Sequence, residues 1–181
     1  MRSIRFILIL LFLQISIDTY SQLNHRHYIL MGRIDLSDED YSEAILNFNL
    51  AITAKPADFE AYFLRGIAKY SLNDFNGAVD DFSKAISIHP LYTRAYHYRG
   101  ISNDRLGNYA DAISDYKKAI ELDPYDPDLH IALGSTRLHL NEFESAILCF
   151  DTALIIKPDN SYAYINRGVA KRYLELYDEA L

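Results

Sequence analysis

The stretch AYHYRG at residues 95–100 recurs along this chain. Variants of it are AYFLRG at residues 61–66 and AYINRG at residues 163–168, so the copies are offset by 34 and by twice 34 residues. A degraded copy, LHIALG, occupies residues 129–134, where the same spacing places the missing one. A fixed period of this length is typical of a chain built from stacked small units rather than from one globular core.

Proline, glycine, alanine and aromatic residues keep the same period. The prolines are Pro56, Pro90, Pro124 and Pro158, and the glycines are Gly32, Gly66, Gly100, Gly134 and Gly168. One alanine column is Ala44, Ala78, Ala112, Ala146 and Ala180, and an aromatic column four residues later is Phe48, Phe82, Tyr116 and Phe150. Since these independent columns agree, the period belongs to the whole chain after its first residues.

The columns resemble the tetratricopeptide repeat family, whose unit is a helix-turn-helix of about 34 residues. We number each repeat from 1, so that the quoted hexapeptide spans positions 3–8. The resemblance covers four full repeats, at residues 25–58, 59–92, 93–126 and 127–160, and a partial fifth at residues 161–181. It implies an all-α fold, a solenoid of antiparallel helix pairs that forms a right-handed superhelix.

The residue types fit this unit physically. Positions 4, 7, 8 and 11 share one face of the first helix, which meets the second helix of the same repeat. Glycine at position 8 lets the two backbones approach, and proline at position 32 ends the second helix. Asn73, Gly107 and Asn141 suit the turn between the helices because they tolerate left-handed backbone angles.

Position 7 holds an arginine in three repeats although its face points toward the core. Sixteen residues after Arg65 and Arg99 stand Asp81 and Asp115, whereas the same two slots are uncharged in repeats four and one, as Leu133 with Cys149 and Met31 with Asn47. Because a lone buried charge is costly, we predict partly buried ion pairs between Arg65 and Asp81 and between Arg99 and Asp115. Alternatively, these arginines face solvent or pair across repeats.

The first 21 residues have the layout of a secretory signal peptide. Arg2 and Arg5 precede a short apolar stretch from Phe6 to about Ile17, and small residues follow around Ser21. We predict a signal peptide over residues 1–21, cleavage after Ser21, and a periplasmic or envelope-associated product; an uncleaved anchor is the alternative. Removing residues 1–21 leaves 16 basic and 24 acidic residues, a net charge of −8.

Composition and motifs exclude several kinds of function. The acidic balance, −7 over the full chain, argues against nucleic acid, which demands a concentrated basic surface. Cys149 is the only cysteine, so neither an intrachain disulfide nor a cysteine-based zinc site can form. No nucleophile elbow, phosphate-binding glycine loop or HExxH helix occurs. We therefore expect no enzyme activity, no cofactor and no metal, and no membrane contact beyond the signal segment.

Binding is the function that the resemblance implies. Positions 2, 5, 9, 12 and 13 of the first helices line the inner groove in this family. The groove residues predicted for this chain are Phe63, Tyr70, Arg94, His97, Asp104, Arg105, Ile131, Leu138, His139, Ile165, Arg172 and Tyr173. Aromatics and arginines are preferred at protein interfaces, although some of these side chains would instead pack between adjacent repeats.

The groove lacks the clamp for a carboxyl terminus that some family members build from lysine at position 5 and asparagine at position 9. We therefore expect an extended peptide or a partner helix bound by apolar and aromatic contacts. The leading hypothesis is an exported, non-catalytic scaffold; the alternative is a recognition or regulatory module of a larger envelope enzyme or transport complex, and a third is a glycan or lipid binder. The fifth repeat reaches position 21, about one turn into its second helix, so we expect residues 161–181 to fray or seek a partner.

Overall fold

The structure is a computed structural model that describes the backbone of residues 24–180 and the side chains of residues 24–175. The predicted signal peptide, residues 1–21, lies outside the described residues. Residues 24–37 form helix α1. The helices that follow are α2 (Tyr41–Ala54), α3 (Phe59–Ser71), α4 (Phe75–Ile88), α5 (Thr93–Arg105), α6 (Tyr109–Leu122), α7 (Pro127–His139), α8 (Phe143–Ile156) and α9 (Ser161–Ala180). No strand occurs within residues 24–180, which confirms the predicted all-α class.

The turn inside each of the first four repeats requires one residue with a left-handed backbone. Asn73, Gly107 and Asn141 have φ values of 60°, 78° and 59°, which confirms the sequence prediction. Glu39 adopts the same conformation in the first repeat at φ 61°. The residue type gave no signal for this, since glutamate has no preference for left-handed backbone angles. The two helices that Glu39 joins must therefore hold it in this conformation.

The prolines lie just beyond the end of each second helix. Helices α2, α4, α6 and α8 end two residues before Pro56, Pro90, Pro124 and Pro158, respectively. The residues immediately before three of these prolines are extended, as at Lys55 with φ −143° and ψ 87°. Proline disfavours helical angles in the residue that precedes it, so the helix stops before the ring is reached.

Glycine at position 8 brings the two helices of a repeat together. A Cβ placed on Gly66 would lie 2.6 Å from Cε1 of Phe82, and a Cβ on Gly100 would lie 2.7 Å from Cε1 of Tyr116. Both rings are almost fully buried. The ring therefore occupies the space that any larger residue at position 8 would need, which explains why both columns keep the same period.

The described part of the chain divides into two compact units, with the boundary between Ile88 and His89. In the first unit Ala44, Phe48 and Ala68 form a buried cluster with half-buried apolar neighbours. In the second unit one cluster is built from Ala112, Tyr116, Leu133 and Cys149, and another from Ala146, Phe150 and Ala170. In each unit, residues of the alanine and aromatic columns lie in these buried clusters.

The fifth repeat differs from the prediction. Instead of turning after position 13, α9 continues as one helix of 20 residues from Ser161 to Ala180. In the first four repeats, position 16 holds a residue whose side chain is able to cap a helix: Asp40, Asp74, Asn108 and Glu142. Repeat five has Leu176 there. Asp40 and Asp74 accept an amide hydrogen bond at the start of their second helices, whereas Asn108 and Glu142 form no such bond; an aliphatic side chain is unable to form one. None of the described helices is both long and apolar enough to cross a membrane.

Candidate partner-binding cleft

Both predicted ion pairs are present inside their repeats. Arg65 donates from Nε to Oδ2 of Asp81 at 2.8 Å and from Nη2 to Oδ1 at 2.5 Å. Arg99 bonds Asp115 in the same two-pronged way at 3.0 and 2.6 Å. Both aspartates are buried. Two parallel bonds from one guanidinium fix the geometry of a pair, so these four side chains are structural.

The third arginine at position 7 takes a different partner. Arg167 donates from Nη1 to Oδ1 of Asp151 at 2.5 Å. Asp151 stands at position 25 of the preceding repeat, and Asn49, at position 25 of repeat one, accepts a bond from Nη1 of Arg65 at 2.6 Å. Arg65 therefore forms the predicted ion pair within its own repeat and a further hydrogen bond to the preceding one, whereas Arg167 pairs across repeats, as the alternative interpretation described.

The second unit contains a cleft of about 630 Å³ between α7 and α9. Its lining residues are Ser135, Leu138, His139, Asn141, Phe143, Asn166, Val169 and Tyr173. The rings of Phe143 and Tyr173 stack with their centroids 5.7 Å apart and their planes 13° apart. Phe143 is buried and Tyr173 is 47% exposed. A rigid aromatic wall thus has one side in the core and the other open to solvent.

Polar groups accompany the apolar lining of the cleft. Asn141 stands in the turn after α7, and Asn166 and Val169 lie on α9. The carboxamides of Asn141 and Asn166 can each donate and accept hydrogen bonds, as a peptide backbone requires. With Ser135 and His139 the polar side chains make up half of the lining, so the cleft is mixed; polar groups that orient a ligand beside apolar walls are usual in a binding site.

His139 at the end of α7 is held by two neighbours. Its Nδ1 lies 3.4 Å from Oδ1 of Asp104 on α5, and its ring lies 5.5 Å from the ring of Tyr109. The same Asp104 oxygen accepts a bond from Oγ1 of Thr136 at 2.6 Å. Asp104, predicted to contact a partner, therefore links α5 to α7 and positions the His139 ring at the cleft.

The structure removes Phe63 from the predicted groove. Its side chain is 1% exposed, and its ring lies 5.6 Å from the ring of Phe82. A side chain this buried belongs to the core of the first unit and is not available to a partner. The other residue predicted there, Tyr70, is half-buried and lies 5.4 Å from the ring of Phe75, so much of its surface is also used internally.

The remaining predicted groove residues lie in the second unit. Arg94, Arg105 and Arg172 are exposed, and Arg172 extends over the ring of Tyr173 at 5.8 Å. His97 is half-buried. Burial lowers the pKa of His97 below its ordinary value, although Asp126 and Asp128 act in the opposite direction. Of the predicted residues, the structure brings Leu138, His139 and Tyr173 together in the cleft; Ile131 packs against two buried clusters.

Phe143 and Asn166 were missed as site residues. Phe143 shares the 34-residue spacing with Tyr41, Phe75 and Tyr109, and only the structure shows that it lines the cleft. The sequence did contain a signal for Asn166. Position 6 holds Leu30, Leu64, Tyr98 and Ala132 in the other repeats, so an asparagine there departs from an otherwise largely apolar column.

Other reactive side chains have structural surroundings. Cys149 is a buried free thiol, and burial raises its pKa while Arg137 opposes the shift. His130 Nε2 lies 3.2 Å from the carbonyl of Pro124, as the hydroxyl of Tyr96 lies 3.2 Å from that of Pro90. Among the described residues, no group of three or more histidine, cysteine, aspartate or glutamate side chains could hold a metal ion.

Family models match most of the described chain. Models described as "Tetratricopeptide repeat" match residues 29–93 and 64–127 with one profile and residues 105–166 with another. The chain belongs to the tetratricopeptide repeat family. A comparison with curated protein sequences gave no match.

Solved structures share the tetratricopeptide repeat fold. The crystal structure of MamA has a TM-score of 0.79 at 24% identity and covers 87% of this chain and 86% of its own. YrrB, described as a tetratricopeptide repeat protein with an unusual peptide-binding site, has a TM-score of 0.73 at 23% identity over 78% and 73%. The first tetratricopeptide repeat domain of Spaghetti (RPAP3), bound to an HSP90 peptide, has a TM-score of 0.63 at 20% identity and covers 65% of this chain and 93% of its own. At these identities the likeness establishes the fold.

Proposed function

We propose that this protein is an exported, non-catalytic scaffold that binds a segment of a partner protein in the cleft between α7 and α9. The observation that carries this proposal is the stacked pair of Phe143 and Tyr173, which presents a rigid, half-exposed aromatic surface. Rigid aromatic anchors give large contact area at a small cost in side-chain entropy. Export rests on the N-terminal segment described above.

The lining favours a peptide that inserts an apolar side chain. Leu138, Val169 and Tyr173 supply the apolar walls, and the two asparagine carboxamides supply partners for the backbone of an extended segment. The family relationship supports the same function, since YrrB and the Spaghetti domain are both described with peptides.

A peptide library displayed on phage, selected against immobilised residues 22–181, tests the proposal directly. Affinities of the selected peptides are then measured by fluorescence anisotropy for the parent protein and for Tyr173→Ala. We expect this variant to weaken binding by about tenfold or more, as for loss of an aromatic anchor.

The matched control is Tyr125→Ala. Tyr125 is 79% exposed and is not among the residues that line the cleft, so its removal should leave binding unchanged. Equal binding by the parent protein and by Tyr173→Ala would remove the cleft from contention, and circular dichroism checks that both variants keep their helices.

A further inference from the structure

Helix α9 repeats the face by which α3 packs against its partner helix. Positions 4, 7, 8 and 11 are Tyr62, Arg65, Gly66 and Lys69 in α3, and Tyr164, Arg167, Gly168 and Lys171 in α9. The local geometry agrees too, because the guanidinium lies over the tyrosine ring at 5.4 Å in α3 and at 5.2 Å in α9. The two faces therefore offer the same chemistry.

In the first unit, helix α4 packs on this face of α3 and shows which side chains the face binds. The ring of Phe82 lies against Gly66. Its neighbour Asp81 binds Arg65 through both carboxylate oxygens and lies 2.8 Å from Nζ of Lys69. One aspartate thus neutralises two cations, and one aromatic ring fills the space over the glycine.

The corresponding face of α9 is open in the part of the chain that the structure describes. Tyr164 is 50% exposed and Gly168 is exposed, whereas the four preceding glycines of the column are buried. No described atom lies within 4 Å of a Cβ placed on Gly168. Arg167 engages Asp151 through Nη1, and no described residue is seen to bond the Nε and Nη2 edge that takes the aspartate in α3.

We propose that this face of α9 docks an amphipathic helix of a partner protein that carries an aspartate followed directly by an aromatic residue. The surrounding pattern is Ala-x-x-Asp-Phe/Tyr-x-x-Ala. It is the pattern of α4 from Ala78 to Ala85 and of α6 from Ala112 to Ala119, the two helices that already cover an arginine-bearing face in this protein. The aspartate meets Arg167 and Lys171, and the ring covers Gly168.

Charge and shape both select this occupant. Arg167 already pairs with Asp151 through Nη1, but a helix without the aspartate would bury its Nε and Nη2 edge without an acceptor and Lys171 without a counter-charge, which is costly. A helix without the ring would leave a gap over Gly168, and such gaps forfeit packing contacts. The site is separate from the cleft, since the cleft lining does not include Tyr164, Arg167, Gly168 or Lys171.

The chain supplies its own probe. A fluorescein-labelled peptide of residues 75–88, FNGAVDDFSKAISI, is titrated with the full chain and followed by fluorescence anisotropy. We expect saturable binding together with a gain in peptide helicity by circular dichroism, because a helix of this length is marginal alone in water. The peptide cannot readily displace α4 itself, which has the advantage of being intramolecular.

Gly168→Ala is the decisive variant. A Cβ at the equivalent glycines would meet an aromatic ring at 2.6–2.7 Å, so we expect a loss of about tenfold or more in affinity from overpacking. The variant should fold normally, since alanine favours a helix more than glycine does. Peptides that carry Phe82→Ala or Asp81→Asn should bind the parent protein as weakly as the parent peptide binds Gly168→Ala. The protein variant Tyr173→Ala should bind the parent peptide with unchanged affinity.

Three results would overturn the proposal. One is the absence of peptide binding at about millimolar concentration, the weak limit for a specific contact. Another is binding that Gly168→Ala leaves unchanged, which would place the peptide elsewhere. The third is a dimer, seen by sedimentation and lost in Gly168→Ala, which would make a second copy of the chain the occupant.

Discussion

The arginine and aspartate pairs show how single residues keep a charge inside a repeat. Asp81 is 3% exposed and Asp115 is 5% exposed, and each accepts two bonds from its arginine. Repeat four replaces the pair with Leu133 and Cys149, both buried. The same fold thus accommodates either a complete ion pair or two apolar side chains, because both choices leave no unpaired charge.

The cost of half a pair is therefore testable within repeat two. Asp81→Cys alone leaves Arg65 and Lys69 facing a neutral side chain, and we expect it to lower the free energy of unfolding by about 3–5 kcal/mol. Adding Arg65→Leu copies repeat four and should recover most of that loss. Urea denaturation in reducing buffer measures both.

The control for this comparison is the exposed pair of Arg33 and Glu60, whose side chains are 52% and 41% exposed. Arg33→Leu should change the free energy of unfolding by no more than about 1 kcal/mol, because solvent screens such pairs. Equal losses in the single and double variants at Arg65 and Asp81 would show that the two side chains do not act as a pair.

At the scale of an element, the first helices α3 and α7 begin at an aspartate that accepts an amide hydrogen bond. Asp58 accepts from the amide of Glu60 at 3.1 Å at the start of α3, and Asp126 accepts from the amide of Asp128 at 2.9 Å at the start of α7. Asp58 has a second role. Its Oδ2 lies 2.6 Å from Nε2 of buried His25, so one carboxylate both caps α3 and holds α1.

These two caps form a matched pair for mutation. Asp126→Ala should lower the free energy of unfolding by about 0.5–2 kcal/mol, the usual value of a cap. Asp58→Ala should cost more, because it also leaves a buried histidine nitrogen without its partner. Thermal melts followed by circular dichroism give the comparison. A similar loss in both variants would mean that the contact between His25 and Asp58 adds no stability.

At the scale of the whole molecule, the chain combines a repeating interaction module with an N-terminal segment of a different character. Exposed apolar side chains are frequent in the last described helices, where Leu148, Ile155, Tyr162 and Ile165 are each more than 60% exposed. Surfaces of this kind mark interaction sites in soluble proteins. The proposed roles of the cleft and of the open face of α9 both use this end of the second unit.

The prediction at the scale of the whole molecule concerns export and cleavage of the N-terminal segment. When the chain is produced in a bacterial host with a general secretion pathway, we expect removal of residues 1–21, because the segment has the charged, apolar and small-residue regions of a signal peptide. Mass spectrometry of the periplasmic fraction should then find a product that begins at Gln22. Recovery of the uncleaved chain in the membrane fraction would instead indicate an anchor, and recovery in the cytosol would refute export.

The amino-acid sequence by itself determined the helical repeat, three of the four left-handed turn residues and both internal ion pairs. These features follow from contacts within one helix or between two helices joined by a short turn, so a fixed spacing encodes them.

Only the tertiary structure decided which outward positions are accessible. Phe63 and Ile165 both occupy position 5, yet one is 1% and the other 63% exposed, because exposure depends on which other helices lie over each position. For the same reason the cleft joins Phe143 and Asn166 from columns that look unrelated in sequence. Spacing along the chain fixes the face on which a side chain lies, whereas its neighbours from other helices decide whether that face is covered.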